Sequence, residues 1–198
     1  MEKDFFSKHK VAIIILIVLA IIIISIIGMY NNFVYLQQNI NAKWSEVENQ
    51  YQRQADLIPN LVSTVSSAVK VEVSLLQNLT AARSAWANAK TPYEKDVAGV
   101  QMSNSLANFI GAVAIAENYP QLQANKQYTA LMDELAGTQN RIATARTRYI
   151  EAIQKFNTAI KTFPGVLFAG LFGFKEIEYY KAEIKSLSTP QLGSGVLP

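Results

Sequence analysis

Between Tyr128 and Phe163 the chain reads YTALMDELAGTQNRIATARTRYIEAIQKFNTAIKTF. Its apolar side chains recur at steps of three and four residues, which places them on one face of an α-helix. So narrow a stripe is typical of long helices that pack along a coiled-coil-like seam. The members of this C-terminal seam are Tyr128, Leu131, Leu135, Thr138, Ile142, Ala145, Tyr149, Ala152, Phe156, Ile160 and Phe163.

A second seam with the same spacing comes earlier in the chain and is interrupted at the polar residues Gln54 and Glu72. It predicts a long amphipathic helix that ends near Ala89. Because neither seam shows the alternation of a strand, we expect an all-α fold, a helical bundle with long coiled-coil-like helices. The members of this N-terminal seam are Ile40, Trp44, Val47, Tyr51, Ile58, Leu61, Val65, Val69, Leu76 and Leu79.

The segment DLIPNL at positions 56–61 allows two interpretations of the N-terminal seam. Asp56 is a fair N-cap and proline is tolerated in the first turn of a helix, which would favour a break and a helical hairpin. The apolar spacing nevertheless passes through Pro59, so we favour one continuous helix with a kink. A continuous helix is expected to direct the Phe163 end of the bundle away from the bilayer, whereas a hairpin would bring that end to the membrane surface.

Capping residues and prolines mark further helix boundaries. Thr91 and Glu94 can form a capping box around Pro92, so a middle helix is expected from Pro92 to about Glu117. The sequence NYP at 118–120 predicts a break, because proline disfavours helix in the residue before it. The sequence FPG at 163–165 ends the C-terminal helix, and a short helix near Lys175–Ser186 should follow the next apolar stretch.

The run Val11–Met29 is uncharged and consists almost entirely of Ile, Val, Leu and Ala. Its length matches the ~20 residues that cross the hydrocarbon core as a helix, and it is apolar on every side. No cleavage site of small residues follows it, which favours an uncleaved signal anchor. Lys8 and Lys10 precede the run and the next basic residue is Lys43, so the positive-inside rule predicts a plasma-membrane protein with a cytoplasmic N-terminus and an extracytoplasmic domain.

These boundaries predict four regions. A short cytoplasmic tail at 1–10 precedes a transmembrane helix at 11–30, and a helical bundle domain at 31–187 is followed by a flexible tail at 188–198.

The composition excludes several chemistries. The chain of 198 residues has no cysteine and a single histidine, His9, beside the span. Thiol nucleophiles and histidine-rich metal motifs are therefore absent from the sequence, and we predict no enzyme and no catalytic, cofactor-binding or metal-binding residue. The 18 basic and 15 acidic residues are spread along the chain, so nucleic acid is not expected as a partner. With no catalytic residue predicted, no small-molecule substrate is expected either.

Several short segments occur in an order similar to that of the LemA family of single-span membrane proteins. They cover nearly the whole chain beyond the span, and the ordered set is more specific than any one of them. The segments are Tyr30-Asn31, Trp44-Ser45, Asp56-Leu57-Ile58-Pro59-Asn60-Leu61-Val62, Ala82-Arg83, Glu117-Asn118-Tyr119-Pro120, Asn140-Arg141-Ile142-Ala143, Ala145-Arg146, Tyr149, Phe163-Pro164 and Phe172-Gly173-Phe174.

The resemblance implies an N-terminal membrane anchor and an elongated antiparallel helical domain, and it implies no biochemical activity. The chain departs from the family's pattern at two positions. Val71-Glu72 stands where the family usually has His-Glu, so a metal or acid–base role for that histidine cannot hold here. Gln139 stands where the family usually has Glu, so an ion pair from this position to Arg141 or Arg146 is not expected.

Two groups of residues are candidates for roles beyond simple packing. The first is a polar network between helices that would fix the register of the bundle. The second is the apolar stretch Val166–Phe174, as a cap over the end of the bundle or as a patch for a partner, another copy or lipid. The network candidates are Asp56, Arg83, Arg141 and Arg146, and the patch candidates are Val166, Leu167, Phe168, Leu171, Phe172 and Phe174.

The sequence thus predicts a non-enzymatic, membrane-anchored helical scaffold or protein-interaction module that self-associates. The alternative is a lipid-facing, membrane-organising protein that uses the apolar stretch at 166–174. The expected partners are the lipid bilayer through residues 11–29, further copies of the chain in a homo-oligomer, and other membrane proteins.

Overall fold

A computed structural model describes residues 2–68, 71–115, 122 and 124–179. Within these residues the chain is helical or irregular and contains no strand, so the all-α prediction is confirmed. The helices are α1 (Glu2–Ala68), α2 (Val73–Asn88), α3 (Pro92–Ile115), α4 (Lys126–Lys161) and α5 (Gly165–Phe168).

Helix α1 contains the predicted span. In the described part of the chain it is the helix that is long and apolar enough to cross a membrane. Its apolar side chains from Val11 to Ile27 are largely exposed, with Ile24 at 68%. Exposure of this kind fits contact with lipid on every side rather than burial in a protein core.

The fold divides into two compact units. The first combines Met1–Ala42 with Ile150–Glu178, and the second contains Lys43–Tyr149. Each unit therefore takes one part of α1 and one part of α4.

The second unit is an antiparallel helical bundle whose core comes from both predicted seams. Arg53 of α1 contacts Glu134 of α4, and the earlier residue Gln50 contacts the later residue Arg141, so these two helices run in opposite directions. The side chains that the seams bury here are Trp44, Val47, Tyr51, Ile58, Leu61, Val65, Leu79, Leu135, Thr138, Ile142, Ala145 and Tyr149.

Helix α1 runs through Pro59 to Ala68, so the prediction of a continuous helix at the proline is confirmed. The predicted helix end near Ala89 is confirmed, because α2 ends at Asn88. The prediction of one unbroken helix up to that end was wrong, because the backbone is not helical at Glu72, with φ −59° and ψ 128°. Val71 and Val73 flank this residue and are β-branched, which weakens helix at the point where the seam is interrupted. A second helix, α2, begins there.

The predicted start of the middle helix at Pro92 is confirmed, while its predicted end near Glu117 lies outside the described residues. Glu94 N–H donates to the Thr91 hydroxyl at 3.1 Å, and Thr91 N–H donates to the Glu94 carboxylate at 3.2 Å, which is the capping box around Pro92. Helix α4 ends at Lys161, just before the FPG sequence, as expected. The break at NYP lies outside the described residues.

The short helix expected near Lys175–Ser186 was wrong for its described part, because 175–179 are not helical. The rest of that segment and the tail expected at 188–198 lie outside the described residues.

Pro59 removes one hydrogen bond from α1, and α2 replaces it. Proline has no N–H, so the carbonyl of Ala55, four residues earlier, lacks its helical partner. Nε of Arg83 in α2 donates to this oxygen at 2.8 Å. The same contact shows that the chain reverses direction between α1 and α2.

We expect Arg83→Met to lower the free energy of unfolding by about 1–3 kcal/mol, because the buried Ala55 carbonyl loses its donor. In a Pro59→Ala background the restored N–H serves that carbonyl, so the same substitution should cost clearly less. Urea unfolding of the full-length protein in mild detergent, followed by the fluorescence of the buried Trp44 and Trp86, measures both.

The variant Arg83→Lys is the matched control, since it keeps a charge and a donor at the end of an alkyl stem. If Arg83→Met lowers the free energy of unfolding equally in the Pro59 and the Pro59→Ala backgrounds, the Arg83 guanidinium and the Ala55 carbonyl are not coupled.

Candidate membrane-surface site

The four charged residues predicted to form one network do not come together. Asp56 accepts a hydrogen bond from Gln52 on the exposed face of α1 at 2.7 Å. Arg83 is engaged with the backbone carbonyl described above. Arg141 pairs with Glu134 at 2.6 Å, and both side chains are partly exposed. Asp56 and Arg141 therefore make surface contacts and do not join a network between helices. Of the four predicted residues, only Arg146 contacts a buried layer of polar side chains.

This layer joins α1, α3 and α4, and two of its members, Tyr51 and Asp96, were not predicted as polar partners of Arg146. The Arg146 guanidinium lies 3.1 Å from Oδ2 of Asp96. The Tyr51 hydroxyl accepts from Arg146 and donates to Asp96, both at 3.4 Å. Position 99 must be small here, because a Cβ on Gly99 would lie 2.6 Å from Cζ of Tyr51. The glycine was the one available signal for this close approach.

A second polar layer fills the interruption of the N-terminal seam at Gln54, which is 1% exposed. Its Oε1 accepts from the Ser103 hydroxyl, and its Nε2 donates to Oε1 of Gln139, each at 2.9 Å. Gln139 therefore meets a neutral amide rather than an arginine, which explains how the chain accommodates the amide at this position.

Burial governs the acid–base behaviour of the first layer. Desolvation raises the pKa of Asp96, and it outweighs the attraction of Arg146, which acts in the opposite direction. Desolvation, with the Asp96 charge second, also raises the pKa of Tyr51. On the exposed face, hydrogen bonds from Arg53 and Arg141 lower the pKa of Glu134.

The pKa of Asp96 predicts a pH dependence of stability. Because the native carboxyl keeps its proton to higher pH than the unfolded one, it lowers the free energy of unfolding as pH rises from the unfolded pKa through the folded pKa. The free energy of unfolding of the wild-type protein minus that of Asp96→Asn should fall as pH rises across this window and should be constant above it. Glu134→Gln should give the opposite slope, since the folded pKa of Glu134 is lowered. Urea unfolding at a series of pH values tests both, and slopes of the same sign would contradict the assignment.

The apolar stretch at 166–174 forms a compact loop after α4, within the first unit. Its helical turns end at Gly173, whose φ of 75° is left-handed. Gly173 N–H donates to the Gly170 carbonyl at 3.2 Å, and Phe174 N–H donates to the Ala169 carbonyl at 2.9 Å. This is the Schellman arrangement that stops a helix and turns the chain.

Two further contacts close the base of the loop. The buried Asn157 side chain donates to the Ile177 carbonyl at 2.7 Å and accepts from its N–H at 3.0 Å. Lys161 pairs with Glu176 at 2.6 Å. Gly165 brings the start of the loop against α4, where a Cβ would collide with the Ala159 carbonyl oxygen.

The inner side of the loop packs on α1 directly after the span. The ring centroids of Phe172 and Tyr30 are 5.2 Å apart, and those of Phe174 and Phe33 are 5.3 Å apart. Phe174 also meets Phe156 of α4 at 6.2 Å. Edge-to-face contacts of this kind favour one fixed position of the loop.

The outer side of the same loop is also apolar, and it is exposed. Val166 and Leu167 are 54% and 58% exposed, and Leu171 is 79% exposed. Phe163 was expected to close the C-terminal seam, and this was wrong, because its side chain is 79% exposed and belongs to this outer side. Phe168, Phe172 and Phe174 of the predicted patch are instead half-buried on the inner side.

The expectation that a continuous α1 would direct the Phe163 end away from the bilayer was wrong. The chain reverses once more than the sequence indicated, between α1 and α2, and the loop contacts Tyr30, the residue that follows the span.

The family model for LemA matches residues 43–192 of the chain. The chain belongs to the LemA family. It is 25% identical to the magnetosome proteins MamQ 1 and MamQ 2 of Paramagnetospirillum magneticum, over 96% of this chain and 79% of each relative. It is likewise 25% identical to magnetosome protein MamQ of Magnetospirillum gryphiswaldense, over 92% of this chain and 79% of that protein. With the apolar N-terminal helix, these relationships identify a membrane-associated LemA-family protein.

Proposed function

We propose that this LemA-family protein is a non-enzymatic, membrane-anchored scaffold that organises the bilayer surface beside its own span. The outer side of the loop, formed by Phe163, Val166, Leu167 and Leu171, enters the lipid as a second, shallow anchor. The observation that carries this proposal is an exposed apolar loop held by aromatic contacts against Tyr30, the first residue after the span.

The depth of these contacts fits the headgroup layer. An α-helix rises about 1.5 Å per residue, so Phe33 stands roughly 6 Å above the end of the span at Met29. The polar layer of a bilayer is about 5–8 Å thick on each side of the hydrocarbon core. A loop that packs on Tyr30 and Phe33 therefore lies at the depth where aromatic side chains collect in membrane proteins.

The energetics favour insertion over exposure to water. Transfer of a half-exposed Val or Leu side chain out of water gains about 1–2 kcal/mol. The exposed side chains of Val166, Leu167 and Leu171 form an apolar patch of the kind that marks a protein or membrane interaction site. Charge does not oppose insertion, because residues 162–174 include no Asp, Glu, Lys or Arg, and Lys161 just before them is paired with Glu176.

The ionisable groups are used in ways that support a non-enzymatic role. Asp96 and Arg146 neutralise one another in the interior, and Glu134 is held between Arg53 and Arg141 on the surface. A reproducible turnover that disappears on replacement of Asp133 or Glu134 would contradict this part of the proposal. In the orientation that Lys8 and Lys10 favour, the loop contacts the outer leaflet of the plasma membrane.

We expect the exposed tip of the loop at Leu171 to reach the boundary between the lipid headgroups and the acyl chains. The chain has no cysteine, so Leu171→Cys offers a single labelling site in the full-length protein. A nitroxide at this position, in phosphatidylcholine vesicles, should collide more with oxygen than with a water-soluble nickel chelate, because oxygen concentrates in hydrocarbon. Power-saturation EPR measures this ratio.

Glu151→Cys is the control, because Glu151 is an exposed residue of α4 in the same unit. The proposal would be overturned if the label at position 171 collided with the nickel chelate as frequently as the label at position 151. Both substituted side chains are exposed, so neither change should disturb folding.

A further inference from the structure

The face of α1 directed away from the loop carries a stripe of uncharged residues. Asn31, Tyr35, Gln38 and Ala42 lie at steps of four, three and four, so they share one side of the helix. All four are exposed, with Tyr35 at 69%. Phe33 and Ile40, which lie between them in sequence, are buried at 1% and 4%. We name these four residues the neutral stripe.

The absence of charge extends well beyond the membrane span. From Val11 to Ala42 the sequence has no Asp, Glu, Lys or Arg. Protein surfaces in water usually carry about 25–35% charged residues. Further along α1, where Lys43, Glu46, Glu48 and Arg53 follow, the helix returns to that pattern. The part of α1 that continues the span therefore exposes a helical face without charge.

We propose that the neutral stripe is the surface on which a second copy of this chain packs, with the two α1 helices parallel and in register. All copies cross the bilayer in the same direction at the same depth, so each α1 emerges at the same height. Around a two-fold axis normal to the membrane, each residue near the axis meets its own counterpart. Gly28 lies on the same side at the end of the span and lets two helices approach closely.

The chemistry of the stripe suits such self-pairing. A charged residue would face an identical charge across the axis and repel it. A carboxamide carries both donors and an acceptor, so Asn31 and Gln38 can each hydrogen-bond to their own counterparts. Tyr35 can stack on or beside its counterpart while its hydroxyl stays at the rim.

The length of the stripe favours a second copy over lipid as its partner. At about 1.5 Å per residue, Gln38 and Ala42 stand roughly 14 and 20 Å above the end of the span. The polar layer of the bilayer reaches only about 5–8 Å. Lipid headgroups could cover Asn31, but they cannot reach the upper half of the stripe, whereas a parallel helix covers all of it.

Cysteine scanning along α1 tests this arrangement in the cysteine-free, full-length chain. Single variants Asn31→Cys, Tyr35→Cys and Gln38→Cys lie on the stripe, and Asn32→Cys and Gln37→Cys are exposed controls on other faces of the same segment. In vesicles under mild oxidation, the three stripe positions should form disulfide-linked dimers several-fold faster than the two controls.

A matched charge test gives an independent measurement. Gln38→Lys places like charges opposite one another and should reduce the mass found by light scattering in mild detergent to that of a monomer. Gln37→Lys adds the same charge beside the stripe and should leave the assembled mass unchanged. Neither exposed side chain contributes to the core, so both variants should fold.

Three outcomes would overturn the proposal: a monomeric mass for the wild-type protein, equal cross-linking at all five positions, or equal sensitivity to lysine at 37 and 38. A spin label at position 38 that contacts lipid would assign the stripe to the bilayer instead. The nitroxide depth at position 171 is measured separately, so failure of self-association leaves the loop proposal standing, and the reverse also holds.

Discussion

Polar groups on one turn of α1 face the interior of the second unit, and each needs a partner from another helix. They are the Tyr51 hydroxyl, the Gln54 amide and the Ala55 carbonyl, which has no helical donor because Pro59 lacks an N–H. A buried polar group without a partner costs about 1–3 kcal/mol, so a register that satisfies all of them is strongly favoured. Helices α3 and α4 supply the partners of Tyr51 and Gln54, while α2 supplies Arg83. The apolar seams provide most of the burial, and these polar contacts select one alignment of the helices.

In the first unit, aromatic packing on α1 and the hydrogen bonds between Asn157 and Ile177 hold the loop in place. The loop after α4 is apolar on both sides, and its inner aromatic rings hold it on α1 just beyond the span. The two proposals use opposite sides of this one helix. Loop insertion would fix the rotation of the anchor in the bilayer, because an unaided span is apolar all round and has no preferred side. The neutral stripe would then point along the membrane plane toward a second copy.

Segments that identify the LemA family meet in space although they are far apart in sequence. The segment around Pro59 is joined to Arg83 through the Ala55 carbonyl. Tyr30, beside the span, meets Phe172 and Phe174 near the other end of the described chain. Some of the described residues that carry the resemblance are thus contact partners, which gives that part of the pattern a physical basis in helix pairing and loop docking.

The sequence alone determined the elements whose signals are local. Apolar spacing predicted helices along α1 and α4, the capping box at Thr91 located the start of α3, and an uncharged apolar run identified the span. Each of these depends on neighbouring residues only, and so it can be read along the chain.

The break at Glu72, the partners of Arg146 and the position of the loop were decided by tertiary structure. A chain reversal changes which helix ends lie side by side, but it leaves the apolar spacing almost unaltered. The N-terminal seam was therefore predicted to be one helix. Asp96 and Gly99 gained their importance only when α3 packed against Tyr51. Likewise, the sequence shows that the stretch at 166–174 is apolar. Which of its side chains are buried depends on the contact with Tyr30, because burial depends on the residues that lie nearby in space.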